Sequence, residues 1–200
     1  MQKFFLLLLT VLTLSVEIVC AATPTNTIDE QKKSDKDLKI LSWNIYMLPP
    51  MGVKPGKRSR AYAIVDELKK TDFDVIVFQE AFFAPSRKII TAGINELYPY
   101  RYGPYNNSRS FLKANSGVWV ISKKPLQELG SVQFPAGKGF DWFARKGAVL
   151  LQGESNGKKF QVLGTHLQSE DGNDDIRQKQ MDQIYTELLI KYREEDVPQI

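Results

Sequence analysis

Apolar residues run almost unbroken from Phe4 to Leu14, give way to Thr, Asp, Lys and Ser between residues 23 and 37, and then return in two alternating rhythms. Leu38, Ile40, Leu41 and Trp43 predict a short strand ending at Asn44. A polar loop with Pro49, Pro50 and Gly56 follows, after which Ala61, Ile64, Val65 and Leu68 recur at helical spacing. Residues 73–78 form a continuous apolar run, as a strand buried on both faces requires, and it ends at Gln79-Glu80. Pro85 suits the first turn of a second helix carrying Ile90, Ile94, Leu97 and Tyr98. Residues 117–122, 147–152 and 160–165 predict three more strands, the last two joined by the hairpin-turn sequence Ser155-Asn156-Gly157-Lys158. Met181, Ile184, Tyr185, Leu188, Leu189 and Tyr192 place one apolar stripe on a helix spanning about 174–193, and a further strand opens at Pro198. Helices alternating with buried strands, followed by hairpins, predict a layered α/β domain with sheet inside and helices outside.

The amino-terminal run belongs to none of these elements. Lys3 precedes it and Val19-Cys20-Ala21-Ala22 follows it, which is the order of a Sec signal peptide cleaved near Ala21 or Ala22. The run is too short to span a bilayer comfortably, and Glu17 argues against the alternative of an uncleaved anchor. A lipoprotein would use Cys20, but Val19 is larger than the residue usual before such a cysteine. The expected organisation is a signal peptide over residues 1–22, a flexible linker over 23–37 and one domain over 38–200, in a secreted or periplasmic protein. Cys20 is the only cysteine, so cleavage leaves none and excludes disulfides and thiolate metal sites. Any metal must be held by oxygen atoms or by the single histidine. The net charge of +4 fits an anionic substrate or a membrane surface without requiring either.

Polar groups follow directly on three of the predicted strands: Asn44, Gln79-Glu80 and His166-Leu167-Gln168. Strand ends at a sheet rim are where sites are commonly built. Each group also has a structural alternative: Asn44 as a turn residue, Glu80 as a solvated strand end, His166 as a core histidine. Their recurrence on successive strands favours a site.

Residues 41–49, reading LSWNIYMLP, resemble the opening strand of the endonuclease/exonuclease/phosphatase superfamily, in which "WN", "QE" and "GTHL" appear in that order. The Tyr-Met-Leu-Pro extension is similar to that of neutral sphingomyelinases. Val77-Phe78-Gln79-Glu80, Asn115-Ser116-Gly117-Val118, the D-x-x-x-x-K-G of residues 141–147 and the GTHLQSED of residues 164–171 resemble the same subgroup. The resemblance runs from about Lys39 to the end of the chain. It implies a four-layered α/β sandwich of the DNase I type, with two packed mixed sheets between helical layers.

It further implies a secreted, Mg²⁺-dependent phosphodiesterase, other divalent cations being compatible, that cleaves sphingomyelin or a related membrane phospholipid. Phosphodiester hydrolysis needs neutralised oxygen charge, an activated water and a stabilised leaving alkoxide. Mg²⁺ prefers oxygen ligands. By resemblance Glu80 is the metal ligand, Asn44 offers a carbonyl oxygen beside it or a donor to phosphate, and His166 contacts phosphate or helps protonate the leaving group. Lys146 adds positive charge, with Asp141 holding or gating its loop; a solvated strand-flanking lysine is the alternative. The family's later Gly-Asp-x-Asn and Ser-Asp-His segments, the second carrying its general base, do not occur in these residues. The expectation is therefore a catalytic domain incomplete at its carboxy terminus and inactive as it stands. Phe83-Ala84 replaces a polar pair that some bacterial members use at a second metal site.

Phe82, Phe83, Trp142 and Phe143 are expected in loops near the site, as packing or as lipid contacts. Asn106-Asn107-Ser108 is a glycosylation sequon by pattern. No stable nucleic-acid partner is expected, and the protein should be a monomer. A secreted nuclease of the same superfamily is the first alternative, which the scattered basic residues outside Lys54, Lys57, Arg58 and Arg60 disfavour. A non-catalytic binding module on this scaffold is the second.

Overall fold

Among the described residues, seven strands and three α-helices build four layers, in the order helices, sheet, sheet, helix. The computed structural model describes residues 37–49, 56–106 and 113–200. The expected signal peptide, nearly all of the linker, Lys54, and Asn107-Ser108 of the sequon lie outside the described residues.

The first sheet has the order β1-β2-β4-β3, from β1 (Ile40–Asn44), β2 (Val75–Gln79), β3 (Tyr100–Tyr102) and β4 (Trp119–Ser122). β1 and β2 are parallel, with Asn44 opposite Gln79. β4 runs antiparallel to β2 and β3. The second sheet is an antiparallel meander of β5 (Gln127–Gln133), β6 (Gly147–Ser155) and β7 (Lys158–Thr165). Its β6–β7 turn is Asn156-Gly157, with φ of 53° and 75°, the pair of positive values that a two-residue type I′ hairpin demands.

Period-two alternation explains the continuous apolar runs, because both faces of the central strands are covered. Ile76 and Phe78 of β2 and Trp119 and Ile121 of β4 point outward, against α1 (Lys57–Leu68) and α2 (Ala84–Ile94). Their neighbours Val75, Val77, Val118 and Val120 point inward and meet Val149, Leu151, Phe160 and Val162 of the second sheet. The far face of that sheet, with Ala148 and Leu150, takes Ile184 and Leu188. Each buried Val, Leu, Ile or Phe among them contributes roughly 1.5–3 kcal/mol.

The last helix departs from its expected form. α3 (Asp174–Ile184) passes into a π turn, Tyr185–Leu189, marked by the Ile190 N–H donating to the Tyr185 carbonyl at 2.9 Å. Ile184 and Leu188 are buried, but Met181 and Tyr185, expected in the apolar stripe, are 46% and 56% exposed. Those two positions therefore lie off the face that packs on the sheet. Residues 198–200 run parallel to β7, with the Gln161 and Leu163 N–H groups donating to the Pro198 and Ile200 carbonyls at 2.8 Å. No helix among the described residues is long and apolar enough to cross a membrane.

Candidate active site

β1 and β2 do not simply stop at the sheet rim. Backbone pairing continues past them, with the Ile45 N–H donating to the Gln79 carbonyl and the Met47 N–H to the Glu80 carbonyl. Tyr46 and Glu80 both adopt left-handed backbone, with φ of 52° and 55°. Non-glycine residues in that region are uncommon and concentrate at functional sites. The Asn44 side chain locks the first of these kinks, its Oδ1 accepting the Tyr46 N–H at 3.0 Å.

That bond fixes the amide. Asn44 Nδ2 then faces Glu80 and donates to Oε1 at 2.9 Å. Glu80 Oε2 is buried and has no hydrogen-bond partner among the described residues. His166 Nε2 lies 4.0 Å from Glu80 Oε1. The other ring nitrogen, Nδ1, lies 3.2 Å from the Ser116 carbonyl, an acceptor, so the proton of the neutral ring sits on Nδ1 and Nε2 carries the lone pair. Burial, and next the Lys146 charge, push the imidazole down from 6.5 to about 4. The ring is therefore neutral at pH 7, and its approach to Glu80 is not an ion pair.

Ser116 belongs to the Asn115–Val118 sequence motif, and the fold shows what that motif does. Asn115 Oδ1 accepts the Gly117 N–H at 2.9 Å and Ser116 Oγ accepts the Val118 N–H at 3.1 Å. The same loop takes His166 on the Ser116 carbonyl and the Ala81 N–H on the Gly117 carbonyl, binding both halves of the site. Gly117 has φ of 73°, and a Cβ there would stand 2.7 Å from the Phe82 ring. Phe82 in turn packs on His166, with ring centroids 5.9 Å apart. A backbone carbonyl and a glycine that makes room for a ring are not legible as site parts from residue types.

Lys146 and Asp141 also come together here. Lys146 Nζ lies 2.8 Å from Asp141 Oδ1 and donates to the Leu167 carbonyl at 2.7 Å. Asp141 Oδ2 accepts the Ser169 N–H at 2.6 Å and the Ser169 hydroxyl at 2.9 Å. Burial alone would raise the Asp141 carboxyl, but the bonds from Lys146 and Ser169 outweigh it and hold it below its ordinary value. Burial lowers the Lys146 ammonium even so, because its desolvation exceeds what Asp141 returns. Neighbours complete the clamp: the Gln168 N–H donates to buried Gln180 Oε1 at 2.8 Å, and Asn106 Nδ2 donates to the Arg145 carbonyl at 2.9 Å. Lys146 is thus not the solvated strand-flanking lysine of the alternative reading, being 6% exposed.

The expected aromatic fringe divides. Phe82 is buried, and Phe83 packs into the outer core beneath Lys57, whose Nζ lies 5.2 Å from the ring centroid, so neither is a lipid contact. Trp142 is 43% exposed, on the 3-10 turn Gly139–Phe143 that carries Asp141. Phe140 on the same turn is 83% exposed, a position that hydrophobic spacing did not single out.

Among the described residues no three His, Cys, Asp or Glu side chains gather into a metal cage. A single carboxylate with an orphaned buried oxygen is instead a donor set that fits Mg²⁺, which takes one or two carboxylates and completes its shell with water and substrate phosphate.

Fold and site together define the class. Residues 41–200 match the Endonuclease/Exonuclease/phosphatase family, and the chain belongs to it. Within that family it is similar to Sphingomyelinase C 2 of Leptospira interrogans (serogroup Icterohaemorrhagiae, serovar Lai), 38% identical over 74% of this chain and 26% of that protein. It is also similar to a Phospholipase C of Staphylococcus aureus, 34% identical over 84% of this chain and 56% of that protein. The chain therefore spans between about a quarter and somewhat over half of these relatives' lengths. A crystal structure of Staphylococcus aureus beta toxin with bound magnesium ions superposes with a TM-score of 0.70 at 30% identity, covering 81% of this chain and 63% of that one. The four-layered α/β sandwich expected from the sequence is the fold of these neighbours.

Proposed function

We propose that the protein is a secreted phosphodiesterase that hydrolyses sphingomyelin to ceramide and phosphocholine with Mg²⁺ at Glu80. The observation that carries this reading is the buried, unpartnered Glu80 Oε2 between Asn44 and His166. Similarity to sphingomyelinases supports the substrate class, and the magnesium of the beta toxin structure supports the metal.

In this reading Asn44 Nδ2 holds one carboxylate oxygen so that the other faces the cation. The Asn44 carbonyl keeps a second lone pair available to the metal. When bound, Mg²⁺ neutralises charge on the phosphate oxygens. Hydrolysis joins a water oxygen to phosphorus and breaks the bond from phosphorus to the ceramide oxygen, which leaves needing a proton. His166 rests neutral, with the Nε2 lone pair beside Glu80. An incoming phosphodiester anion offsets the Lys146 charge that helps hold its pKa down and favours the protonated ring. The ring then takes a proton from solvent at Nε2 and can pass it to the leaving oxygen, the attacking water releases its own proton to solvent, and Ser116 holds Nδ1. Lys146 supplies fixed positive charge, and Asp141 fastens its loop. The protein acts at a lipid surface as a monomer, with exposed Phe140 and Trp142 at the interface.

Calorimetric Mg²⁺ titration and phosphocholine release by the complete chain test this. Glu80→Gln should abolish Mg²⁺ binding and turnover together. His166→Ala should lower turnover by about 10²–10⁴ with Mg²⁺ affinity retained. DNA nicking without phosphocholine release would favour the nuclease alternative, and absence of Mg²⁺ binding the non-catalytic one.

A further inference from the structure

A groove of about 600 Å³ opens between α2 and the edge strand β3, on the outer side of the first sheet. Its walls carry three cations: Arg87 and Lys88 from the helix, and Arg101 from the strand. Thr91 and Asn95 add polar groups, and buried Trp119 is the largest of the apolar residues that line it. No Asp or Glu lines it, and the three cations form no ion pair among the described residues.

Two ordinary explanations fail to account for all three. Charged residues on an edge strand discourage pairing with another chain. That explains Arg101 but not Arg87 or Lys88, which come from the opposite wall. Arg87 has a structural duty, since its Nη1 donates to the Ala81 and Phe82 carbonyls. Its remaining nitrogens have no acceptor among the described residues. Arg101 is already held in place by Asn95 Oδ1 at 2.6 Å. Guanidinium groups so placed present planar donor pairs that match phosphate oxygens.

We infer that this groove is an anion site that recognises phosphate groups, separate from the Glu80–His166 site. None of its cations belongs to the proposed catalytic cluster, so the inference stands whether or not that cluster hydrolyses sphingomyelin. The phosphate comes either from an anionic lipid headgroup or from a free phosphorylated solute.

The test uses the complete chain and leaves Arg87 untouched, because Arg87 also fixes the backbone after Glu80. Inorganic phosphate is titrated while the backbone amides of Thr91, Asn95 and Gly103 are followed by NMR. Saturable shifts are expected, weakened about tenfold or more in a Lys88→Gln/Arg101→Gln double variant. Lys158→Gln/Lys179→Gln removes the same charge from exposed positions elsewhere and should change nothing. Thermal melts check that both variants fold. Sedimentation with phosphatidylcholine vesicles, with and without phosphatidylglycerol, separates the sources. Loss of phosphatidylglycerol-dependent binding in the groove variant alone assigns the lipid headgroup, and phosphate binding without a vesicle difference assigns the free solute. Equal weakening by both double variants, or no saturable shift together with equal vesicle binding, overturns the site.

Discussion

Glu80 and Asp141 are two largely buried carboxylates that both lie in the field of Lys146, yet their surroundings differ in kind. Asp141 has a partner on each oxygen: Lys146 on one, the Ser169 N–H and hydroxyl on the other. Glu80 has Asn44 on one oxygen and nothing on the second among the described residues. A buried polar atom left unpaired costs stability, so its persistence marks a place where folding and function pull apart. Asp141 holds two loops together, whereas Glu80 is held out for something else.

Substitution should break this contrast most visibly in stability. Asp141→Ala strands the Lys146 ammonium, and removing one member of a buried pair costs about 3–5 kcal/mol. Glu80→Gln should cost almost nothing without metal, and if the proposed Mg²⁺ site is right it should remove the rise in melting temperature expected on adding Mg²⁺ to the unsubstituted protein. Urea denaturation in EDTA measures the first, and thermal melts with Mg²⁺ and with EDTA measure the second. Equal losses in the two variants would erase the distinction.

Acid should act through the histidine that faces Glu80. Well above pH 6.5 the ring is neutral in both folded and unfolded chains. As the pH falls toward about 4, the unfolded chain takes up a proton that the folded ring refuses, so stability drops. The loss should approach ~3 kcal/mol and be absent in His166→Gln. A cation at Glu80 would push the imidazole the same way. Denaturation midpoints from pH 7 to pH 4 would show it, and a flat profile for the unsubstituted protein would mean that His166 is less secluded than its contacts imply.

The smallest effect is expected at the loop joining the two halves. Gly117→Ala adds a methyl 2.7 Å from Phe82 on left-handed backbone, at a cost of about 1–3 kcal/mol. The displaced ring should also shift the His166 imidazole resonances. A change confined to Phe82 would show that the two rings are not coupled.

Much of this was readable before any coordinates. Strands buried on both faces announce themselves as unbroken apolar runs, and the Asn156-Gly157 hairpin is encoded in two residues. The polar groups at the ends of β1, β2 and β7 converge as their recurrence suggested. Other parts were hidden for physical reasons. β5 is half exposed and carries a register shift between Glu128 and Gly130, which spoils its alternation. β3 is a three-residue edge strand with no apolar run. The Ser116 contribution is a main-chain carbonyl, which every residue type possesses. Phe82 and Phe83 follow a strand and look like loop aromatics, and only tertiary packing places them inside.

The π turn after α3 carries one more consequence, for how a row of side chains is aimed. In a regular α-helix, residues four apart drift round the axis by about 40° at each step, so such a row spirals off a flat support. One widened turn winds that drift back. Ile184, Leu188 and Tyr192 can then follow a single line along the second sheet, where Tyr192 lies so close to Gly130 that a Cβ there would come within 2.8 Å of its ring. The helix gives up one register of internal hydrogen bonding and becomes, over that stretch, a straightedge. Its signature in sequence is a repeat of four, and a search tuned to 3.6 assigns Met181 and Tyr185 to the wrong side.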